Sequence, residues 1–197
     1  RIIGFTETFE AGGGEILFVS HSADPSEAVQ KTNDYMTAYG DTDCIYATGE
    51  DYITPAADVI KSRGITDCKI YGSNISPSVC QLIMDGQVEA CTGGEFVCGS
   101  LAVTLLINYL DGNPIKDADG TAPYFDNLTQ FMVTAENAED FYEFLSDENL
   151  ATHTISDEEY QNLLVRNNPD VDYDYFYDFL TNYEENVYAK VEANAAQ

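Results

Sequence analysis

The sequence predicts an α/β fold built on a parallel sheet, followed by a helical C-terminal region. Through residues 1–100, apolar runs of four residues alternate with longer stretches of helical periodicity. Glycine follows several of the helical stretches. From residue 134 onward, acidic and tyrosine-rich helical patterns replace this alternation. Short strands separated by helices of about 10–15 residues are typical of βαβ units, whose strands run parallel.

The α/β region contains five predicted strands and five predicted helices. The strands are predicted at residues 16–19, 44–47, 69–72, 88–91 and 128–133. The helices are predicted at residues 2–10, 26–39, 51–63, 76–85 and 95–110. Ser76 followed by Pro77 is a favourable helix start, because the serine caps the free N–H groups and proline fits the first turn.

The predicted helix at 95–110 differs from the others because its apolar side chains surround most of its circumference. A helix of this kind is normally buried on more than one side. It ends at the turn formed by residues 111–114, Asp-Gly-Asn-Pro. Residues 115–127 are polar and are predicted to form a loop.

The C-terminal region is predicted to form helices at 135–145, 156–165 and 173–190. The middle helix opens with Ser156 and has Glu159 three residues later, which is a capping box. The many Tyr and Phe residues of this region are too numerous for a solvated surface. We therefore expect the last helix to be ordered and packed on the rest of the protein.

The charge of the chain restricts its partners. Thirty-five acidic residues against eight basic ones give a formal net charge of -27. Nucleic acids are bound through Lys and Arg that neutralise phosphates, so this charge argues against nucleic-acid binding. It likewise opposes binding to anionic lipid. A strongly solvated surface is the simplest interpretation.

Catalytic, metal and cofactor sites are not predicted. The five cysteines are odd in number and include no Cys-x-x-Cys pair, which argues against a disulfide framework and against a zinc site. His21 and His153 are isolated, and no nucleophile and base stand together in the sequence. The acidic run at 170–174 lacks the Gly and Glu of a calcium-binding EF-hand loop. No run of 18 apolar residues predicts a membrane span.

Ligand contacts are expected at the carboxyl ends of the strands, where open parallel sheets bind their ligands. This rule selects residues 21–24, 48–51, 73–75 and 92–95. In the last of these turns, Gly93 and Gly94 follow a strand and precede a helix. That order suits close approach of a ligand to the backbone, although a tight turn explains the glycines equally well. The glycines at 12–14 have the opposite order and predict only a turn.

A series of short segments resembles the C-terminal lobe of type I periplasmic binding proteins. This family includes the ribose-type sugar-binding proteins, and LacI-type regulators share its fold. The segments are Arg-x-x-Gly-Phe at 1–5, Asp-Cys-Ile-Tyr-Ala-Thr-Gly-Glu at 43–50, Lys-Ile-Tyr-Gly-Ser-Asn at 69–74, Met-Asp-Gly-Gln-Val-Glu-Ala-Cys at 84–91, the helix and turn at 101–114, and Phe-Met-Val-Thr at 131–134 with Asn137. Their order and spacing match the family over about two-thirds of the chain.

This resemblance implies a three-layer lobe of a type I periplasmic-binding-protein fold with a helical C-terminal extension. It assigns residues 1–91 and 128–145 to the C-terminal lobe, residues 92–127 to the crossover and a helix of a largely absent N-terminal lobe, and residues 146–197 to the extension. The chain is then expected to be a fragment. The apolar helix at 95–110 would pack on the missing lobe, on a second copy of the chain, or back on the lobe of residues 1–91.

The resemblance also implies a ligand site. The predicted ligand-binding residues are Arg1, Thr48, Glu50, Asn74, Gly94 and Glu95. Arg1 matches the family's arginine that donates to ligand hydroxyls. Gly49 stands where the family has a ligand-binding Asn, and Asn74 where it has Asp, so the resemblance does not imply a simple pentose or hexose.

The function implied is that of a solute-binding component of an ABC importer, which holds a small polar, sugar-like ligand between two lobes and catalyses no reaction. Its second partner would be the permease of the transporter. The implied location is extracellular or at the cell surface, where a lipid anchor on the missing N-terminal segment would be one form of attachment. The alternative is the effector-binding domain of a LacI-type regulator, which the net charge of -27 argues against.

Overall fold

The computed structural model describes residues 2–95, 97–146 and 154–196. The helices are α1 (Ile2–Ala11), α2 (Pro25–Ala38), α3 (Glu50–Ser62), α4 (Pro77–Met84), α5 (Val97–Leu110), α6 (Ala138–Ser146), α7 (Asp157–Asn162), α8 (Tyr173–Thr181) and α9 (Tyr183–Ala195). The strands are β1 (Cys44–Ala47), β2 (Lys69–Ser73), β3 (Ala90–Gly93) and β4 (Phe131–Thr134). No helix within the described ranges is long and apolar enough to cross a membrane.

The strands form one sheet in the order β1-β2-β3-β4. β1 and β2 are parallel, and their register aligns Cys44 with Lys69 and Ala47 with Gly72. Because α3 connects these two strands, they form the predicted βαβ unit. The α/β class with a helical C-terminal extension is confirmed.

Local sequence signals fix several of the helix starts. The Asp24 carboxylate accepts a hydrogen bond from the Glu27 N–H at 2.9 Å, which caps α2. The Ser76 hydroxyl accepts one from the Val79 N–H at 3.2 Å, and Pro77 follows in the first turn of α4. At α7, the predicted capping box between Ser156 and Glu159 is formed.

Two of the sequence-based predictions about secondary structure are wrong. Residues 16–19 are irregular, although their apolar run predicted a strand. The ring of Phe18 packs on Tyr35 of α2, with ring centroids 3.8 Å apart. The single helix predicted at 173–190 is divided at Asn182 into α8 and α9. The Thr129 hydroxyl accepts from the Glu184 N–H at 3.0 Å in the first turn of α9, so a tertiary contact sets where the new helix begins.

Two strands begin later than predicted, because neighbouring groups bind the backbone of their first predicted residues. The Val88 N–H donates to the Leu82 carbonyl of α4 at 3.1 Å, so residue 88 belongs to the turn and β3 starts at Ala90. The Thr129 N–H donates to the Leu180 carbonyl of α8 at 3.2 Å, and β4 starts at Phe131.

The chain divides into two compact units. The first contains residues 1–91 and 133–139, and the second contains residues 92–132 and 140–197. Two of the boundaries, after residues 91 and 132, fall inside the strands β3 and β4. The assignment of these units to the two lobes of the family's fold stays a prediction.

The first unit has a core of small and branched apolar side chains. α3 buries one face of its helix, including Ile53, Ala56 and Ile60. From the sheet side, Ile70 of β2 is buried, and Val79 and Cys80 of α4 are also fully enclosed. Burial raises the pKa of the Cys80 thiol to about 12, so this cysteine stays a neutral apolar group at physiological pH.

The second unit has an aromatic core that includes the C-terminal helices. Phe131, Phe141 and Tyr183 are fully buried. The rings of Phe131 and Phe141 are stacked with centroids 5.1 Å apart, and Tyr183 of α9 lies 6.4 Å from Phe131. The expectation that the last helix is ordered and packed is therefore confirmed, and its apolar side chains enter the core of this unit.

A candidate ligand site at the carboxyl ends of the strands

The carboxyl end of β1 presents two of the predicted ligand-binding residues. Thr48 and Gly49 connect β1 to α3, and Glu50 is the first residue of that helix. The Gly49 carbonyl accepts from the N–H groups of Tyr52 and Ile53 at 2.9 and 3.0 Å, which holds the turn in place. Thr48 and Glu50 are both half-buried, so each side chain is partly accessible to a solute.

The end of β2 lies beside this turn. The parallel register that pairs Ala47 with Gly72 places Thr48 level with Ser73, one residue before Asn74. Asn74 has φ of 85°, and no other non-glycine residue in the described ranges has a positive φ. Its backbone carbonyl accepts from the Cys91 thiol at 3.5 Å, and its side chain is exposed. Backbone strain of this kind is concentrated at functional sites.

An opening of about 600 Å³ lies at the same end of the first unit. It is lined by Ile2 and Ile3 of α1, by His21, and by Thr48. His21 belongs to the first of the turns selected from the sequence, and it is exposed. The predicted contact Arg1 directly precedes Ile2 but lies outside the described residues. Thr48 and Glu50 therefore follow β1, and Asn74 follows β2, at the same end of the sheet. Thr48 also lines the opening, whose other lining residues include the apolar Ile2 and Ile3.

A hydrogen bond that the sequence does not predict joins α3 to the residue after His21. The Tyr52 hydroxyl donates to the Ser22 carbonyl at 3.1 Å. This bond joins the first turn of α3 to the segment that carries His21. Tyr52 lies one helical turn after Gly49, but an isolated Tyr in a helix gives no signal that it binds a carbonyl 30 residues earlier.

Gly94 and Glu95 belong to the second unit. Gly94 has φ of 121°, and a Cβ atom added there would lie 2.9 Å from Cε1 of Tyr183. Packing against the buried Tyr183 ring therefore requires glycine at this position. Glu95 is half-buried, and its Oε2 accepts a hydrogen bond from the Gln130 side-chain amide at 3.4 Å. Their role as ligand contacts stays a prediction.

The polar groups at the carboxyl ends of β1 and β2 are hydrogen-bonding groups. Thr48 offers a hydroxyl, Glu50 a carboxylate and Asn74 an amide, which together can donate to and accept from ligand hydroxyls. In the part of the chain that the structure describes, no three His, Cys, Asp or Glu side chains are grouped so that they could hold a metal ion.

Comparison with known proteins identifies the family. The sequence profile described as periplasmic binding protein domain matches residues 1–114, more than half of the chain. The chain belongs to this family. The matched segment contains β1, β2 and both turns of the candidate site in the first unit. A search of curated proteins finds no match.

Solved structures with the same fold include several sugar-binding proteins. One is the arabinose-binding component of an ABC transporter from Shewanella sp. ANA-3, with 18% identity, a TM-score of 0.63, and coverage of 77% of this chain and 50% of that one. An ABC-transporter solute-binding protein from Agrobacterium vitis with bound D-fucose has 20% identity, a TM-score of 0.61, and coverage of 77% and 49%. The Caulobacter myo-inositol binding protein has 19% identity, a TM-score of 0.59, and coverage of 71% and 48%.

These similarities confirm the type I periplasmic-binding-protein fold that the sequence predicted. At this level of identity they concern the fold alone. The chain spans about half the length of these relatives.

Proposed function

We propose that this chain is part of the solute-binding component of an ABC importer, and that it binds a small polar, sugar-like ligand. The observation that carries the proposal is that Thr48 and Glu50 follow β1, and Asn74 follows β2, at the carboxyl ends of two parallel strands. Two findings support the proposal. The chain belongs to the periplasmic binding protein domain family, and solved proteins with this fold bind sugars or inositol.

The chemistry of the edge suits a polyhydroxylated ligand. Small-molecule sites combine an apolar lining with a few convergent polar groups that fix the orientation of the ligand. Here Ile2 and Ile3 supply the apolar rim, and the three polar side chains supply the hydrogen bonds. Glu50, as a carboxylate, can accept from two adjacent hydroxyls. Arg1, from its place in the family pattern, is proposed as a donor to the same hydroxyls.

The proposed binding cleft has a second wall, formed by another lobe. Within the second unit, α5 buries one face, where Asn108 bonds to the Leu163 carbonyl and the Val165 N–H, both at 2.9 Å. The opposite face is apolar and exposed, and its side chains are Val103, Leu106, Tyr109 and Leu110. We propose that the other half of a two-lobed binding protein covers this α5 face.

The other parts of the proposal follow from this role. The permease of the importer is the protein partner, and the cell exterior or periplasm is the location. The alternative, a LacI-type effector domain, is disfavoured by the net charge of -27, since DNA and a nearby acidic domain repel each other.

Binding is tested by titrating the chain with L-arabinose, D-fucose and myo-inositol, using protein-detected NMR. One wall of a cleft gives weak affinity, so we expect a dissociation constant of about 1–10 mM for the best ligand. Asn74→Gly removes the amide and retains the unusual φ, and Glu50→Gln removes the charge. Each is expected to weaken binding about tenfold, which corresponds to roughly 1.4 kcal/mol.

Asp51→Asn is the matched control for Glu50→Gln. Asp51 is the next residue of α3, it is exposed, and its substitution removes the same charge. We expect unchanged affinity for this variant. An equal loss in both variants would show that the charge acts at long range. Unchanged affinity in Glu50→Gln and Asn74→Gly would remove both residues from the site.

A further inference from the structure

The loop that precedes β4 lies against α8 and forms with it a row of aromatic rings on the second unit. The rings of Phe125 and Tyr173 are stacked with centroids 4.9 Å apart, and those of Tyr173 and Tyr177 lie 6.1 Å apart. Phe125 also lies 6.0 Å from the buried Phe176, so the row is attached to the core of the unit. Tyr124, Phe125, Tyr173 and Tyr177 are here called the aromatic face.

Hydrogen bonds hold the loop on α8. The Tyr173 hydroxyl donates to the Tyr124 carbonyl at 3.0 Å. The Asn127 side-chain amide donates to the Tyr177 carbonyl at 2.7 Å and to the Thr181 hydroxyl at 2.8 Å. A partner of the aromatic face therefore binds a surface that is already ordered, which lowers the entropy cost of binding.

Much of the aromatic face is open to solvent. Tyr124 is 74% exposed and Tyr177 is 40% exposed, while Phe125 and Tyr173 are half-buried. Tyrosine is enriched at interfaces between proteins, since its rigid ring buries a large area with little loss of side-chain freedom. Exposed aromatic groups that lie together are typical of a surface that binds a partner.

Carboxylates surround the aromatic face. The pKa of the Tyr173 hydroxyl is raised by partial burial and then by its neighbours Tyr177, Asp126, Asp117 and Asp174. Three carboxylates therefore act on this one hydroxyl. Asp126 and Asp174 are exposed, and no ion pair joins either of them to a basic residue in the ranges that the structure describes.

This combination of rings and carboxylates selects a cationic partner. The face of an aromatic ring attracts a cation through its quadrupole, and adjacent carboxylates add Coulomb attraction. The sequence has no Lys or Arg at 117–165 or at 167–189, so Lys116 is the only basic residue of the loop and α8. The chain itself thus supplies little positive charge here.

We propose that the aromatic face binds an arginine-containing peptide segment of another protein. A guanidinium group is planar, so it can stack on a tyrosine ring while it forms paired hydrogen bonds with a carboxylate. A lysine ammonium acts as a point charge and lacks this geometry. The surface lies in the second unit and uses none of the ligand contacts proposed in the first, so this inference is independent of sugar binding.

Two peptides of equal charge, Gly-Arg-Gly-Arg-Gly and Gly-Lys-Gly-Lys-Gly, test the proposal when they are titrated into the ¹⁵N-labelled chain. Salt at about 0.15 M screens the general attraction of an acidic chain for cations. We expect the arginine peptide to give saturable shifts of the Tyr124, Tyr173 and Tyr177 amides, and to bind roughly threefold more tightly than the lysine peptide. Equal affinities, shifts spread equally over α6 and α7, or no saturable shift would overturn the proposal.

Two pairs of variants separate the rings and the local charges from the net charge of the chain. Tyr124→Ala is compared with Tyr142→Ala, since Tyr142 is an exposed tyrosine beside Glu143 but lies outside the aromatic face. Asp126→Asn is compared with Asp170→Asn, which removes the same charge from another exposed aspartate.

We expect Tyr124→Ala and Asp126→Asn each to weaken binding of the arginine peptide roughly threefold, and both controls to leave it unchanged. The amides of α9 report that each variant is folded. Equal losses in a variant and its control would overturn the proposal, because they would show binding to the acidic surface in general.

Discussion

The two outer strands of the sheet, β1 and β4, have different neighbours along their outer edges. At the β4 edge, the Tyr188 hydroxyl of α9 accepts from the Met132 N–H at 2.9 Å and donates to the Met132 carbonyl at 3.0 Å, so one side chain satisfies both groups. At the β1 edge, residues 14–20 line a cavity of about 650 Å³ together with β1, and among the described residues they form no backbone hydrogen bond with that strand. The edge beside the candidate ligand site is thus the loosely packed one, and the edge covered by the C-terminal helices is closed.

This difference has a simple physical origin. An open edge exposes unpaired N–H and C=O groups and invites association, so proteins cover it or pair it. The β4 edge is covered by helices anchored in an aromatic core. Within the described ranges, the β1 edge is bordered by residues 14–20, which do not pair with it. We infer that stability is concentrated at β4 and α9, and that conformational freedom is concentrated beside the ligand site.

The largest expected effect comes from replacing one Phe by Ala near each outer edge of the sheet. Phe131 is fully buried between Phe141 and Tyr183, whereas Phe18 is about half exposed. Phe131→Ala is expected to destabilise the chain by about 3–5 kcal/mol, as is usual for a buried Phe. Phe18→Ala should remove less than about 1 kcal/mol, because its ring already contacts water. Urea unfolding followed by circular dichroism measures both, and similar losses would contradict the proposed difference between the edges.

A smaller effect is expected from Tyr188→Phe, which keeps the ring and removes the hydroxyl that bridges both backbone groups of Met132. Two hydrogen bonds are lost, and solvent can replace part of them, so we expect a loss of about 1–2 kcal/mol in urea unfolding. Tyr124→Phe is the control because Tyr124 is strongly exposed, and it should be neutral. If Tyr188→Phe leaves the free energy of unfolding unchanged, α9 covers the β4 edge through apolar packing alone.

The smallest expected effect concerns an ion pair that joins α7 to α9. Lys190 Nζ lies 2.5 Å from Glu159 Oε2, and both side chains are about three-quarters buried. Burial raises the pKa of Glu159, but the hydrogen bonds from Lys190 and Ser156 outweigh it, so the pKa falls below the ordinary value of 4.5. A carboxylate with a lowered pKa contributes stability above pH 4.5, and this contribution is lost as the pH falls through the lowered value.

Glu159→Gln should therefore reduce the free energy of unfolding by about 1 kcal/mol at pH 7, and the difference from the wild-type chain should shrink as the pH falls below 4.5. Glu158→Gln is the control, since Glu158 is the exposed neighbour in the same helix turn. A difference that stays the same throughout acid titration would show that the loss comes from packing rather than from the charge.

Sequence reasoning predicted the elements whose signals are local. The helix starts at Ser76 and Ser156 depend on capping side chains within three residues, and β1 has the predicted bounds. Residues 16–19 and Asn182 show the limit of local sequence signals. Whether residues 16–19 pair with β1, and where α8 ends, depends on partners distant in the chain, such as Tyr35 and Thr129, that local periodicity does not reveal.

The candidate site was predictable to a similar extent. The rule that ligands bind beyond the carboxyl ends of parallel strands selected the turns at 48–51 and 73–75, which contain Thr48, Glu50 and Asn74. Neither the positive φ of Asn74 nor the hydrogen bond from Tyr52 to Ser22 could be predicted from the sequence. Gly94 was selected as a point of ligand approach, and the Tyr183 ring that packs against it comes from a helix almost ninety residues later.

The most direct test of the proposed function is to map where a sugar changes the NMR signals of the backbone amides. The ¹⁵N-labelled chain is titrated with L-arabinose, D-fucose and myo-inositol up to about 50 mM. This concentration is high enough to detect dissociation constants in the millimolar range. We predict saturable shifts for Thr48, Gly49 and Asn74, with the amides of Met132 and Tyr188 at the β4 edge unchanged. Shifts confined to the β4 edge, or no saturable shift with any sugar, would contradict ligand binding at the carboxyl ends of β1 and β2.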